Sequence, residues 1–312
     1  MPLISPLKVR TGEINNRNGF ILKLISPDGF IGLGEISPLD GYSHTSLASV
    51  KAELQKLDFT ALSIQLQNQD IFEFDFSKII ESPEFQWGIS SALWQIHRQR
   101  NGQTSNDSSI IINPLVFEKN PQLTSKKVIE CEKQGYETIK VKIGFNDVSQ
   151  DTMLFNQLCQ NTQSMKFRLD TNGAWNMGQA MDFLSCVSVD RIEYLEDPLQ
   201  FGDPNKLESL YDNHGVQFAI DDYGRESFLD SYMDLKGLAA VIIKPTLTGG
   251  LQKISEIISM LKEKDKKPIL SSSYESSLGL YQMAHLVDHF QLNKIPMGLG
   301  TGAYFKQDLL PL

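Results

Sequence analysis

The sequence predicts an α/β protein: a parallel (β/α)₈-type barrel lacking its last helix, preceded by a smaller α+β unit. Three observations carry this. From residue 110 onward eight apolar, strand-like runs recur, spaced by roughly 25 to 30 residues, the size of one strand–helix unit. Segments with helical spacing lie between them, and strands alternating with helices imply a parallel sheet. About the first 75 residues follow another plan, strands first and then helices.

In that first unit "GFILKLIS" and "GFIGLGEIS" are short β-type runs joined by "PDG", a turn signal, and read as an antiparallel hairpin. The loop "SPLDGYSH" follows. "TSLASVKAELQKL" then has helical spacing, with Thr45 or Ser46 as its cap. "FQWGISSALWQIHRQ" is a further amphipathic helix carrying Ile89, Leu93 and Ile96 on one face; it precedes the first barrel strand and is expected to fill the place of the missing eighth helix. The barrel strands are "SIIINPLV", "TIKVKIG", "KFRLDTN", "RIEYLED", "VQFAIDD", "AAVIIKP", "KPILSSS" and "KIPMGLG". Segments such as "SKKVIECEKQG", "MGQAMDFLSCV" and "LQKISEIISMLKEK" supply helices between them. The expected division is 1–85 for the α+β unit and 86–312 for the barrel.

Composition narrows the function. The chain has 312 residues, 41% of them hydrophobic and 21% charged, enough for a large core. A net charge of −9 argues against general binding to nucleic acid or to an anionic membrane surface. No run approaches about 18 uncharged apolar residues, so no membrane span is expected. The N-terminus shows no secretory signal, and Cys131, Cys159 and Cys186 lie too far apart for a CxxC metal pattern. The expectation is a cytoplasmic enzyme with reduced, buried thiols, acting on a small molecule. "GLGTG" near the end has no helix after it and makes a poor phosphate cradle.

In a parallel barrel the site forms at the carboxyl ends of the strands. Those ends carry Lys140 and Lys142 on the second strand, Asp170 and then Asn172 on the third, and Glu196 followed by Asp197 on the fourth. Asp221 and Asp222 end the fifth, Lys244 the sixth, Ser271 to Ser273 the seventh, and Gly298 and Gly300 the eighth. Lys140 and Lys142 share one face of their strand because side chains alternate. Three acids on consecutive strands would repel one another without a cation, and a hard divalent ion such as Mg²⁺ takes oxygen ligands. A lysine acts as a base only after losing a proton, and a second ammonium, a nearby cation and burial all favour that loss. Lys140 is therefore expected to help Lys142 serve as the base. Such a site suits removal of a proton beside a carboxylate through a metal-stabilised enediolate, with a cation on the opposite wall. Of the five histidines, His285 and His289 stand i, i+4 apart on a helix outside the barrel and are read as packing residues.

These motifs resemble the enolase superfamily, in its muconate-lactonising subgroup. "GLGEISPLDGYSH", "KVKIG", "RLDTNGAW", "YLEDPL", "VIIKPTLTGGL" and "SSSYESSLGL" are similar, in order, to those of the o-succinylbenzoate synthase family, and the last two are the most telling. The resemblance implies a (β/α)₇β modified TIM barrel with an N-terminal capping domain. It implies dehydration, by syn elimination, of 2-succinyl-6-hydroxy-2,4-cyclohexadiene-1-carboxylate to 2-succinylbenzoate in menaquinone or phylloquinone biosynthesis. On it, Lys142 is the base and Lys244 stabilises the enediolate from the other face. Asp170, Glu196 and Asp221 hold Mg²⁺, for which Mn²⁺ substitutes. Arg168 supports the lysine pair and, with Asn172, stands at the substrate, Ser271 and the backbone at Gly298 receive the succinyl tail, and the loop 37–44 closes over the site. Asp222 is the rival to Asp221, with Arg225 and Glu226 keeping the register. The alternatives are an N-succinylamino acid racemase or dipeptide epimerase using the same residues; epimerases of this kind carry acids on the last strand, where this chain has "GLGTG". A barrel that only binds a metal and an anion would not need two facing lysines.

Overall fold

The structure, a computed structural model, describes residues 1–9, 12–66, 69–103, 109–118, 120–200, 203–222 and 231–309. The N-terminal unit opens with β1 (Pro2–Val9) antiparallel to β2 (Gly12–Asn16). The hairpin foreseen around "PDG" follows as β3 (Phe20–Ile25) and β4 (Ile31–Ile36), in register from Phe20 opposite Ile36 to Ile25 opposite Ile31. Gly29 turns it at φ +87°, a left-handed conformation that glycine adopts without a Cβ clash. Helix α1 (Leu47–Lys56) is capped by Ser46, whose side chain accepts from the Ser49 amide while Ser49 reaches back. A short α2 (Phe59–Gln65), capped by Asp58, follows; its pattern covers too few turns to stand out in the sequence.

Helix α3 (Pro83–Arg100) fastens this unit to the rest. A Cβ on Gly34 would stand 1.8 Å from the Gly88 carbonyl oxygen, and one on Gly32 would stand 2.0 Å from that of Ala92. Glycine at both positions lets β4 lie directly on the helix backbone. The expected boundary at 85/86 falls in the first turn of α3.

The barrel is a seven-stranded parallel sheet in chain order, closed by an eighth segment. Its elements are β5 (Leu115–Val116), α4 (Pro121–Lys133), β6 (Thr138–Lys142), α5 (Val148–Asn161), β7 (Lys166–Asp170), α6 (Met177–Ser185) and β8 (Ile192–Glu196). There follow α7 (Pro204–His214), β9 (Phe218–Asp222), β10 (Leu238–Ile243), the one-turn α8 (Pro245–Thr248), α9 (Leu251–Glu263), β11 (Lys267–Leu270) and α10 (Ser277–His289). The eighth run contributes Met297 and Gly298 alone. Gly298 donates to Leu270 O at 2.9 Å and Met297 to Ile111 O at 2.8 Å, which joins the last strand to the first and closes the ring. The first and eighth strands are shorter than their runs suggested because Pro114 and Pro296 lack amide donors. Residues Gly300–Tyr304 make a short 3₁₀ turn where a full eighth helix would stand.

Helix α3 does not occupy the place of the missing eighth helix. It packs on α8 and α9, and Trp94 meets His285 and His289 of α10, because its glycine face is held by the hairpin. The thiols are not all buried: Cys131 and Cys159 are half-buried and Cys186 is exposed. Among the described residues no helix is long and apolar enough to cross a membrane.

Candidate active site

Strand β6 alternates as its sequence requires. Ile139 and Val141 are fully buried against the helices, while Lys140 and Lys142 share the other face, at the open end of the barrel. They line a cavity of about 170 Å³ together with Asp170, Asn172, Asp221, Lys244, Ser271 and Gly298. Lys142 is on the second barrel strand and Lys244 follows the sixth, so the two reach in from opposite walls. The rim adds residues with no signal in the strand pattern: Leu7, Asn113, Leu115, Tyr274, Thr301 and Tyr304. Leu39 and Tyr42 come from the loop expected to close over the site.

The charged groups pair tightly. Lys140 Nζ lies 2.6 Å from Glu196 Oε1 and 2.8 Å from Asp170 Oδ2. Lys142 Nζ donates to Asn172 Oδ1 at 2.7 Å and stands 3.6 Å from Asp170 Oδ2. Lys244 Nζ contacts Asp221 Oδ2 and donates to the Tyr42 hydroxyl at 3.0 Å, with the tyrosine ring centroid 4.8 Å away. Asn172 and Asp197 have positive φ, 49° and 41°. Asp197 uses its turn to accept the Asp221 amide at 3.1 Å, fixing the strand end that carries Asp221.

Burial and mutual repulsion divide the acids. Burial raises the Asp170 carboxyl, but Lys140 and Lys142 outweigh it and hold the group down at about 2. Glu196 is pushed up to about 7 by burial and by Asp170, against the pull of Lys140. Asp197 is pushed up to about 8 by burial and by Asp221. Burial alone would lower Lys140; Asp170, Glu196 and Asp221 outweigh it and raise the group well above the ordinary lysine value. Lys140 is thus committed to the carboxylates as a cation.

The three acids differ from the expected single cluster. Asp170 and Glu196 share Lys140, whereas Asp221 turns to Lys244. Among the described residues no three such side chains form a closed metal cage. The reason is electrostatic: each carboxylate closes on the nearest ammonium. The donor set still fits a hard divalent ion. All three ligands would be oxygens, and Glu196 Oε2 and Asp221 Oδ1 are buried without a hydrogen-bond partner among the described residues.

Ser271 and Gly298 meet at the cavity wall; a Cβ on Gly298 would stand 2.6 Å from Ser271 Oγ. Arg168, expected at the substrate, does not line the cavity. It is fully buried one layer below Asp170, paired with Glu193 at 2.8 Å and Pro296 O at 2.7 Å, and stacked 5.1 Å from the Tyr194 ring centre. Strand alternation puts it on the face of Asp170, level with Lys140 of the neighbouring strand, but its guanidinium turns to Glu193 and Pro296 O instead of into the cavity. Arg225, Glu226 and the side chain of Asp222 lie outside the described residues. His285 and His289 pack against Trp94, and burial pushes His285 down to about 4.

Two family models match the chain: "MenC, N-terminal domain" over residues 1–96 and "Enolase C-terminal domain-like" over 125–307. The chain is 31% identical over 304 residues to an o-succinylbenzoate synthase of Enterobacter sp. (strain 638), covering 96% of this chain and 88% of that protein. It is 29% identical over 315 residues to an o-succinylbenzoate synthase of Vibrio cholerae serotype O1 (strain M66-2), covering 99% and 89%. In fold it is similar to o-succinylbenzoate synthase of Thermosynechococcus elongatus BP-1 complexed with Mg, with TM-score 0.77, 22% identity and 99% and 93% of the two chains covered. It is also similar to a dipeptide epimerase of Enterococcus faecalis V583, with TM-score 0.82, 18% identity and 99% and 90% covered.

Proposed function

This chain belongs to the o-succinylbenzoate synthase family of the enolase superfamily, and from that premise we propose that it dehydrates 2-succinyl-6-hydroxy-2,4-cyclohexadiene-1-carboxylate to 2-succinylbenzoate, a step of menaquinone or phylloquinone biosynthesis. The observation that carries the reading is the meeting of Lys142 and Lys244 from opposite walls of one cavity, in a chain that matches such enzymes along nearly its whole length.

In this reading Lys142, as the neutral amine, takes the proton from the ring carbon beside the carboxylate. The same ammonium then gives that proton to the hydroxyl leaving from the same face. One C–H and one C–O bond break, a ring C=C forms, and water departs as the ring becomes aromatic. Lys244 remains a cation on the other face and balances the charge that builds on the substrate. Lys140 stays charged beside Asp170 and Glu196 and orients them. Asn172 holds the Lys142 Nζ at 2.7 Å, and Ser271 and Gly298 face the end of the cavity suited to the succinyl tail.

Asp170, Glu196 and Asp221 would hold Mg²⁺, or Mn²⁺ in its place, which when bound supplies positive charge for the substrate carboxylate. The last barrel segment, Met297–Thr301, has no acid to hold an amino terminus, which favours the dehydratase over a dipeptide epimerase. The test is turnover of the cyclohexadiene substrate with Mg²⁺, followed by loss of its absorbance. Lys142→Ala should lower kcat by roughly 10²–10⁴-fold. Racemisation of N-succinyl amino acids without dehydration would overturn the proposal.

A further inference from the structure

Arg17, just past β2, is 3% exposed, and the hydrogen bonds of its guanidinium among the described residues all go to carbonyl oxygens. Nη1 donates to Pro38 O at 2.8 Å and Nη2 to Ser37 O at 2.6 Å, at the start of the loop that carries Leu39 and Tyr42. Nε donates to Tyr274 O at 3.0 Å, and Nη2 also reaches Ser273 O at 3.5 Å, on the barrel loop that lines the cavity after β11. Glu35 on β4, also 3% exposed, grips the next residues of the same loop from the opposite chemical side. It accepts the Ser276 amide at 3.0 and 3.1 Å and the Gly279 amide at 3.1 Å, at the first turn of α10, together with the Ser276 hydroxyl. The Ser37 hydroxyl donates to it at 2.9 Å. The carbonyls of Ser273 and Tyr274 thus face a buried cation and the amides of Ser276 and Gly279 a buried anion, both supplied by the capping unit.

We propose that Arg17 and Glu35 are positioning residues that clamp the capping loop to the barrel loop and so set the shape of the cavity end that receives the substrate tail. The proposal rests on the dehydratase reading above. A buried charge satisfied by several backbone groups keeps those groups in one arrangement, because each lost partner leaves a desolvated charge or dipole. The two loops it joins supply Leu39, Tyr42, Ser273 and Tyr274 to the cavity, and neither Arg17 nor Glu35 lines it. The clamp therefore acts on binding rather than on proton transfer. A pair that only held the fold together would lower melting temperature and active fraction and leave KM unchanged.

The test compares wild type with Arg17→Lys, Arg17→Gln and Glu35→Gln. Steady-state kinetics with the cyclohexadiene substrate is paired with calorimetric binding of 2-succinylbenzoate in Mg²⁺ and with hydrogen exchange of the unliganded proteins. Arg17→Gln should raise KM and the product Kd about tenfold or more, with kcat within about threefold of wild type. Arg17→Lys should recover part of the loss, since an ammonium donates to fewer of the carbonyls. Exchange should quicken in 37–42 and 271–274 before the rest of the barrel. Should Arg17→Gln not fold, Arg17→Lys and Glu35→Gln report the same split. Unchanged KM and Kd in folded variants, or exchange that quickens uniformly, overturns the clamp. Wild type without turnover overturns the dehydratase reading instead, while the exchange pattern still decides the clamp.

Discussion

The Lys244 ammonium lies 3.0 Å from the Tyr42 hydroxyl and 4.8 Å from the centre of its ring, joining the sixth barrel strand to the loop of the capping unit. The contact ties the capping loop to the cavity wall opposite Lys142. Tyr42→Phe keeps the ring and removes the hydroxyl, so the cation–π part survives and the hydrogen bond does not. A hydrogen bond to a charged group contributes about 1.5–3 kcal/mol, which corresponds to a fall in kcat/KM of roughly tenfold or more. Tyr42→Ala removes both parts and should fall further. Steady-state rates of the two variants against wild type check the order; equal losses would show that the hydroxyl, not the ring, carries the contact.

Asp151 gives a pH signature away from the charged cluster. This carboxyl on α5 is 1% exposed and accepts the Gly144 amide at 2.9 Å, holding the turn just after Lys142. Burial pushes it up to about 6, only partly offset by the Gly144 hydrogen bond. The folded value lies above the unfolded one of about 3.9, so the folded protein binds the proton more tightly. Its contribution to stability is complete below about pH 4, falls as pH rises from 4 through 6, and is level above that. The size is on the order of 2–3 kcal/mol. Asp151→Asn keeps an acceptor for Gly144 and cannot ionise. Urea unfolding from pH 4 to 7 should show the wild type losing ground to this variant as pH rises, and parallel curves would exclude the assignment.

The barrel was legible because its strands are apolar runs with charged ends, and period and spacing survive in one sequence. The same rule brings Lys140, Lys142, Asp170, Asp221 and Lys244 to the cavity, since strand ends in a parallel barrel share one mouth; Glu196 does not line it and reaches the group through Lys140. Arg168 misled as a substrate contact because strand alternation fixes a residue's face but not the partner its side chain turns to: Lys140, at the same level, reaches the cavity, while Arg168 turns to Glu193 and Pro296 O. Leu7, Asn113 and Tyr304 were invisible for another reason: they reach the cavity by tertiary closure of the N-terminal strand, the first barrel strand and the last turn. The pairing of acids was equally hidden. Sequence spacing brings three carboxylates to one mouth, but which ammonium each takes depends on side-chain reach.

That choice of partners leads to a test of Lys140. Its Nζ serves two carboxylates, Asp170 at 2.8 Å and Glu196 at 2.6 Å, and both acids are buried. Lys140→Met preserves the length of the stem and removes the charge, leaving two acids without their shared cation. Removing one partner of a buried ion pair typically costs about 3–5 kcal/mol. Glu196, already pushed up to about 7 by burial and Asp170, loses the Lys140 cation that pulls it down and should hold a proton in the folded variant at neutral pH. A divalent ion held by the same acids would replace the missing charge, and a ligand at a hundredfold its Kd adds about 2.7 kcal/mol to stability. Without Mg²⁺ the variant should therefore unfold at clearly lower urea than wild type, and saturating Mg²⁺ should narrow the gap. A gap that stays the same, with neither protein stabilised by Mg²⁺ in urea unfolding at pH 7.5, would mean that Asp170 and Glu196 do not hold the ion.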